Sequence, residues 1–358
     1  MENVFANRLQ SARKMAGLSL QGLADKLDNL VSKQSLNKYE QGVMKPDSEV
    51  LIALANSLNV SIDYFYSVPS VKVEFESIDF RKYSSKLSKT EEASVIEKAK
   101  DCFERYFELE DILQLNEKYD YFTFDKEIKT AEDAEDAAKK LREEWNLGYD
   151  PIPDVVEMLE DKGYKVIDLL VNDAFDGMKA TVGDRKIIVL KKSISANDDV
   201  VRKRFTALHE LAHHALTFSK DLKHAEEEKL CHVFACAVLY PEEMAKKELH
   251  KQRFHFYQKE LEIIKERWGI SFTAIFHRAH RLGILNDFIL RKFHVGYKKR
   301  GYNVPNSEPG RYRSKEEPTR MERLVYMGLA KEVLTINEAA YFSGITAWQL
   351  RGKMKLLV

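Results

Sequence analysis

Apolar positions recur every three to four residues through the first 66 residues of the chain, and this spacing predicts four short helices. We expect the third helix at about residues 32–42, where Gly42 suits a helix end. This helix is mostly polar, and Leu36 and Tyr39 are its apolar anchors. A polar helix that is held at two points and preceded by a short apolar helix has the organisation of a helix-turn-helix unit.

The polar positions of the third helix carry side chains that suit contact with DNA. Glutamine and asparagine pair with adenine edges, whereas lysine binds guanine or phosphate. Residues 1–66 contain seven basic and seven acidic residues, so charge equally allows a small dimerisation module with a solvated third helix. The candidates for DNA contact are Lys33, Gln34, Ser35, Asn37 and Lys38.

The middle of the chain predicts a linker, several helices and a small sheet. Alternating apolar residues in 67–87 suggest a linker with one strand, and Ser88 with Glu91 forms a capping box that opens a long helix, used for packing or for a dimer contact. Two further helices are expected from residues 130 and 151. The β-branched runs that follow predict three strands, and the turn Gly183-Asp184 pairs the second with the third. The predicted strands lie at about 164–169, 177–182 and 186–190.

The helix after these strands contains the pattern H-E-x-x-H. His209 and His213 lie one turn apart on one helix face, so both imidazoles can reach a single Zn²⁺. Glu210 lies beside them, where it can take a proton from a water that the metal activates. The flanking residues from 205 to 216 are mainly apolar or small, so we expect this helix to be buried.

A third ligand is expected on the following helix, which becomes strongly apolar from Leu230. Glu228 lies at this junction and is our choice as ligand, with His232 one turn later as its hydrogen-bonding neighbour. Glu226, Glu227 and His232 itself compete for the ligand role, and an acidic first turn also suits the helix dipole. Cys231 lies near the same face, either as a thiol ligand or redox block, or as ordinary packing.

The last part of the chain predicts further helices up to residue 282, a basic loop and a helical tail. Residues 291–315 hold eight Lys or Arg and one acid, which suits an exposed loop that either contacts phosphates or is simply solvated. Two capping boxes begin at Thr335 and Thr346 and give the tail helix-turn-helix proportions. It is either a second DNA or partner contact or a module that packs back on the protein, and we favour the second.

Composition limits the function classes. The 57 basic residues balance the 57 acidic ones, no apolar run reaches the about 18 residues that span a bilayer, and the N-terminus has no secretory pattern. Three cysteines without staple-like spacing suggest a cytoplasmic protein. We therefore expect a mainly α fold with a small sheet (α+β), in four parts. These are a DNA-binding domain (1–66), a linker and long helix (67–129), a metal domain (130–290), and a basic loop with a small helical tail (291–358).

Two groups of motifs resemble known families. Leu18-Ser19-Leu20-Gln21-Gly22-Leu23-Ala24, the segment 31–42 and Lys45-Pro46 are similar to the Xre/Cro-type repressor domain. This resemblance implies double-stranded DNA as partner, Gln21 on a phosphate, residues 33–38 in the major groove and a structural role for Glu40. The loop at 28–30 is about two residues longer than the usual turn of the family, which would shift the angle of the reading helix.

The second resemblance covers roughly residues 130–285. Trp145-x-Leu147-Gly148, Phe175-Asp176-Gly177, the H-E-x-x-H helix and Glu228-x-x-Cys231-His232 resemble the ImmA/IrrE metallopeptidase-like family. The resemblance implies a zincin-like (gluzincin) site with Zn²⁺ on His209, His213 and Glu228 and with Glu210 as base. His232 departs from the Asn or Asp that is usual there.

The two resemblances together lead to two hypotheses about function. Members of the second family cut repressor proteins, so we expect a homodimeric DNA-binding regulator that cleaves a repressor-type protein partner. The alternative is a transcription factor or antitoxin-like regulator without proteolysis, whose metal site is structural or sensory. Glu210 discriminates between them, because only the first hypothesis requires a base.

Overall fold

The computed structural model describes residues 3–82, 87–115, 117–172, 174–193 and 200–354. Four helices form the N-terminal part, followed by a short 3₁₀ helix at Asp63–Tyr66. Their inward side chains, among them Phe5, Leu23, Leu36 and Leu54, form one apolar core. The predicted helices at this end are confirmed: α1 (Val4–Met15), α2 (Leu20–Lys26), α3 (Lys33–Glu40) and α4 (Ser48–Leu58).

Four strands form one mixed sheet in the order β1-β3-β4-β2. The predicted hairpin is confirmed, since β3 and β4 are antiparallel with Val182 opposite Arg185, and β2 pairs in parallel with β4. The strand expected in the linker is present, although it begins only at Glu76, and it pairs with β3. The strands are β1 (Glu76–Lys82), β2 (Lys165–Leu169), β3 (Phe175–Val182) and β4 (Arg185–Lys191).

The sheet separates two apolar cores, because neighbouring residues of a strand face opposite sides. Ile188 and Leu190 of β4 pack in the larger core, whereas Ile187 and Val189 pack in the smaller one. The helices on the larger-core side include α8 and α9, which carry the predicted metal ligands. The helices of this middle region are α5 (Lys89–Ile112), α6 (Ala131–Glu144), α7 (Val155–Asp161), α8 (Val201–Ala215), α9 (His224–Leu239), α10 (Glu242–Leu249), α11 (Gln258–Trp268) and α12 (Phe272–Arg281).

Helix α5 contacts both ends of the chain. The Ser94 hydroxyl donates to the carbonyl of Met15 at 2.6 Å, and the Arg8 guanidinium pairs with Glu104 at 3.2 Å. On its other side, α5 packs in the smaller core with the tail, and Arg105 donates to the carbonyls of Tyr341 and Phe342. The expectation that the tail packs back is therefore confirmed. The tail helices are α14 (Arg320–Ala330), which the sequence did not reveal, α15 (Ile336–Ser343) and α16 (Ala347–Lys353).

The expected basic loop at 291–315 is wrong in its first part, where helix α13 covers Asp287–Lys299. The dense charge masks an apolar face on this helix, on which the ring of Phe293 stacks on Phe276 of α12 at 3.7 Å. The helix expected from Pro151 also begins later, because the Asp154 side chain caps it by accepting from the amide of Glu157. The assignment of four domain ranges stays a prediction. No helix in the described part of the chain is both long and apolar enough to span a membrane.

Candidate metal centre

Three side chains from α8 and α9 converge on one point. The Nε2 atoms of His209 and His213 are 3.2 Å apart, and the Glu228 carboxylate reaches both of them. Its Oε2 lies 3.2 Å from Nε2 of His209, and its Oε1 lies 3.0 Å from Nε2 of His213. The structure thus brings together the three residues that the sequence predicts as metal ligands.

These distances fit a zinc ion. A tetrahedral site with bonds of about 2.0–2.1 Å has ligand atoms roughly 3.3 Å apart. The observed separations of 3.0–3.2 Å are close to that edge length. The ligand types also suit zinc, since imidazole and carboxylate are among its common ligands. The residues present therefore fit the ion that the resemblance implies.

The cluster is buried on one side and open on the other. The side chain of His209 is 0% exposed and that of His213 is 9% exposed, whereas that of Glu228 is 28% exposed. Burial raises the pKa of the Glu228 carboxyl, but hydrogen bonds and charges from the two histidines outweigh it and hold this pKa well below its usual range. The carboxylate is thus the accessible, ionised member of the cluster.

Glu210 lies beside the cluster in a buried position against strand β3. It is 1% exposed. A Cβ atom added to Gly177 would lie 2.9 Å from Oε1 of Glu210 and 2.7 Å from Cγ2 of Thr206. Only glycine therefore leaves room for this carboxylate at the sheet. Gly177 belongs to a motif of the second resemblance, but no pattern in the sequence indicates its role, because the contact joins elements more than 30 residues apart.

The other candidates on α9 have distinguishable positions. The Glu226 carboxylate accepts from the amide of Lys223 at 2.9 Å and so caps the helix, and Glu227 lies 3.8 Å from Nδ1 of His224. The thiol sulfur of Cys231 is buried and lies 3.7 Å from Nδ1 of His213. His232 is exposed, and its ring centroid lies 4.9 Å from that of His209. The role of His232 as a supporting neighbour stays a prediction.

Two further combinations of ligand atoms lie close enough to share an ion. One adds Cys231 to His209 and His213, and the other joins His209, Glu228 and His232, in each case with the ligand atoms within 4.8 Å of one another. Both contain His209, the most deeply buried of the ligands. The alternatives of a thiol ligand and of His232 as ligand therefore remain open beside the set with Glu228.

His214, the neighbour of the motif, faces away from the cluster. Its Nε2 donates to the carbonyl of Ile187 on β4 at 2.9 Å, and the Lys186 ammonium donates to the carbonyl of His214. Burial lowers the pKa of His214 to about 3, so the ring is neutral near pH 7. This histidine fixes the end of α8 to the sheet.

The N-terminal helices present the predicted DNA-contacting residues on one exposed helix. In α3, Lys33, Gln34, Asn37 and Lys38 are exposed, while Ser35 is half-buried and its amide donates to Ser32. The anchors Leu36 and Tyr39 are buried, as expected.

Two polar contacts support this arrangement. Gln21 is exposed and its side-chain amide donates to Asp25 at 2.8 Å. Arg13 donates twice to Glu40, at 2.6 and 2.8 Å, which agrees with a structural role for Glu40.

Comparison with known proteins separates two regions of the chain. Residues 9–65 match a family model described as Helix-turn-helix, and residues 167–280 match that of the IrrE N-terminal-like domain, a peptidase family. Three regulators of Bacillus subtilis (strain 168) are similar over about a fifth of this chain. They are the HTH-type transcriptional regulator YqaE (34% identity over 73 residues), the HTH-type transcriptional regulator ImmR (34% over 73 residues) and the SPbeta prophage-derived regulator YonR (33% over 75 residues).

These matches cover 61%, 56% and 68% of the respective relatives, so the chain spans about three fifths of the first two. The IrrE N-terminal-like match lies outside the helix-turn-helix match and contains both His209 and Glu228. The chain therefore belongs to the helix-turn-helix transcriptional regulators and joins to that module a metallopeptidase-like domain of the IrrE N-terminal-like family.

Proposed function

We propose that this protein is a cytoplasmic, homodimeric DNA-binding regulator whose metallopeptidase-like domain cleaves a repressor-type protein in a zinc-dependent reaction. The observation that carries the proposal is the convergence of His209, His213 and Glu228, with separations of 3.0–3.2 Å between their ligand atoms. The trio joins side chains from α8 and α9, and the separations of its ligand atoms are those expected when three ligands share one cation.

The roles of the residues follow from their positions. Zn²⁺ held by the three ligands would polarise a peptide carbonyl and lower the pKa of water. Glu210 lies next to His209 in the chain and faces β3, where water is excluded on one side. In the proposed reaction, Glu210 accepts the proton of the attacking water and passes it to the leaving amine. The exposed edge at Glu228 gives a polypeptide access to the cluster.

The substitution Glu210→Gln tests the enzymatic proposal. It removes the base and keeps the size of the side chain, so we expect normal zinc content and no cleavage of a purified repressor-type protein that the wild type cleaves. Glu227→Gln is the matched control, because this partly exposed carboxylate lies on α9 outside the trio. Cleavage by the Glu210→Gln variant at the wild-type rate would refute the assignment.

A regulator without proteolysis is the second candidate, in which the metal site is structural or sensory. Helix α5 favours it, because this helix contacts both the N-terminal helices and the core beneath the sheet and can carry a change at one to the other. In that case the wild-type protein binds zinc and cleaves nothing, while loss of zinc changes its DNA affinity.

The DNA-binding proposal rests on the exposed face of α3. We assign Gln34, Ser35 and Asn37 to base edges, Lys33 and Lys38 to guanine or phosphate, and Gln21 to a phosphate. Replacing Gln34 and Asn37 by alanine should relax sequence preference, whereas Lys38→Ala should weaken binding similarly for all sequences. Identical footprints from these variants and the wild type would remove α3 from the interface.

A further inference from the structure

The stretch from Arg291 to Lys315 separates its charges between surface and interior. All eight of its basic residues are exposed. The side chain of its one acid, Glu308, is only 7% exposed. It pairs with Lys265 at 3.0 Å and accepts from the amide of Phe272 and the hydroxyl of Tyr297. The one negative charge of this stretch is therefore used in contacts within the protein, and the exposed surface of the stretch is positive.

The last part of this stretch is anchored through alternate residues. The hydroxyl of Tyr312 donates to the carbonyl of Pro153 at 2.9 Å, and the ring of Tyr312 lies under the Arg204 guanidinium. The hydroxyl of Ser314 lies 3.4 Å from the carboxylate of Asp154. The carboxylate of Glu316 accepts from the amides of Val155 and Val156 and is ion-paired with Arg204. Three inward contacts thus hold the backbone in place.

The residues between these anchors form what we call the basic row: Arg311, Arg313 and Lys315. All three are exposed, whereas Tyr312 and Ser314 are half-buried. Such alternation is typical of an extended chain, in which next-but-one residues are roughly 6.6 Å apart. The basic row lines a cleft of about 800 Å³ together with Val200 and Glu266. Because the backbone is already anchored, little backbone entropy would be lost when a ligand binds there.

We propose that the basic row is a second contact with duplex DNA and binds its phosphates. Cations spaced by roughly 6.6 Å can each meet a separate phosphate of one strand, because neighbouring phosphates rise by 3.4 Å along the axis and are displaced further by the turn of the duplex. The forked guanidinium groups of arginine also suit phosphate oxygens. The helix-turn-helix part has seven basic and seven acidic residues, so its net charge contributes little attraction to DNA, and cations elsewhere on the chain would add to the neutralisation of phosphates. Glu266 and the exposed Glu317 border the row and limit it to about three phosphates.

The salt dependence of DNA binding tests this proposal. We would measure binding of the full chain to a random-sequence duplex by fluorescence anisotropy over a range of salt concentrations. The triple variant R311Q/R313Q/K315Q should lower the slope of log K against log salt by about 2.7, at about 0.9 for each lost phosphate contact. The control K140Q/K247Q/K251Q removes the same charge from exposed positions elsewhere and should keep the wild-type slope.

The outcomes discriminate between partners and between the two DNA contacts. Equal slopes for the basic-row variant and its control would overturn the proposal. Polyglutamate serves as a second probe, in place of an acidic protein. The proposal would also be overturned if the basic-row variant lost binding to polyglutamate while its salt slope with DNA stayed unchanged, because the basic row would then bind an acidic protein. The single variant R313Q should lower the slope by about 0.9 if the triple variant is poorly folded. Variants of Gln34 and Asn37 should lose sequence preference but keep the part of the salt slope that the basic row contributes. An error in the assignment of α3 can therefore be told apart from an error in the assignment of the basic row.

Discussion

Helix α8 carries two charged clusters that differ in what holds them together. Near its start, Arg204 pairs with Glu316, and both side chains are 0% exposed. Five residues later, His209 begins the cluster with His213 and Glu228, whose carboxylate is 28% exposed. The first cluster contains its own cation, whereas the second combines a carboxylate with two imidazoles that bind a cation when deprotonated. We call Arg204 with Glu316 the closed pair and His209 with His213 and Glu228 the open cluster. We infer that the closed pair stabilises the fold and that the open cluster binds a ligand.

Breaking the closed pair should have the largest effect on stability. Arg204→Met leaves the Glu316 carboxylate buried without its guanidinium, which should cost about 3–5 kcal/mol in the free energy of unfolding. Urea unfolding at neutral pH measures this loss. Adding Glu316→Leu should recover only part of it, because no charge then remains buried but the amides of Val155 and Val156 lose their acceptor.

A partly exposed ion pair on the same helix provides the control. Arg202 pairs with Asp176, and the two side chains are 45% and 9% exposed. Arg202→Met should therefore change the free energy of unfolding by at most about 1 kcal/mol. If Arg204→Met lowered the free energy of unfolding no more than Arg202→Met does, the buried pair would not stabilise the fold as we infer.

Glu160 is a second buried carboxylate, and it contacts the chain shortly after Glu316. It should make the free energy of unfolding depend on pH. Glu160 accepts from the amides of Thr319 and Arg320, and burial raises its pKa to about 7. The folded state therefore holds this proton more firmly than the unfolded state. The contribution of this proton to the free energy of unfolding is complete below the unfolded pKa near 4.5 and is lost as the pH rises through the folded pKa of about 7. The loss amounts to about 3 kcal/mol by pH 8.

Unfolding experiments at several pH values, with Glu160→Gln as reference, isolate this contribution. The glutamine variant keeps an acceptor oxygen and does not titrate. The difference in stability between the two proteins should therefore shift by about 3 kcal/mol between pH 4.5 and pH 8. A constant difference would show that Glu160 is already ionised in the folded protein.

The open cluster should respond to metal instead. Zinc at about 100 times its Kd should stabilise the folded protein by about 2.7 kcal/mol, provided that the unfolded chain does not bind it. His213→Ala should abolish this increment, whereas Arg204→Met should keep it, because its ligands are intact. His224→Ala is the matched control, since this histidine of α9 is 70% exposed. An unchanged melting temperature of the wild type with zinc would contradict the assignment.

The two clusters also differ in how far the sequence predicts them. His209 and His213 are one helical turn apart, so local periodicity alone brings them together, and the change to apolar residues after Glu228 indicates the third ligand. The partners Arg204 and Glu316 are 112 residues apart, and no local pattern indicates that this acid is buried. Helix α13 was missed for a related reason, because its apolar face is evident only once Phe276 lies against it.

Gly177 supports a last prediction, in which a stability effect of moderate size accompanies a change at the proposed base. In Gly177→Ala, the new Cβ would approach Oε1 of Glu210 and Cγ2 of Thr206 to within 3.0 Å. The crowding should cost about 1–3 kcal/mol in stability and displace the proposed base. Zinc content should stay normal while proteolysis falls, since the atoms nearest to the new Cβ belong to Thr206 and Glu210 and not to the three ligands. Zinc titration and a cleavage assay of the same preparation measure the two effects.

Two further variants separate displacement of Glu210 from general damage to the core. Gly352→Ala adds a Cβ in open space on α16 and should affect neither measurement. Thr206→Ser, combined with Gly177→Ala, removes the methyl group that the Cβ would meet at 2.7 Å, but leaves the approach to Glu210 at 2.9 Å. This combination should therefore regain stability without regaining cleavage. If stability and cleavage were regained together, Gly177 would matter only for packing, and its contact with Glu210 would not be needed for the reaction.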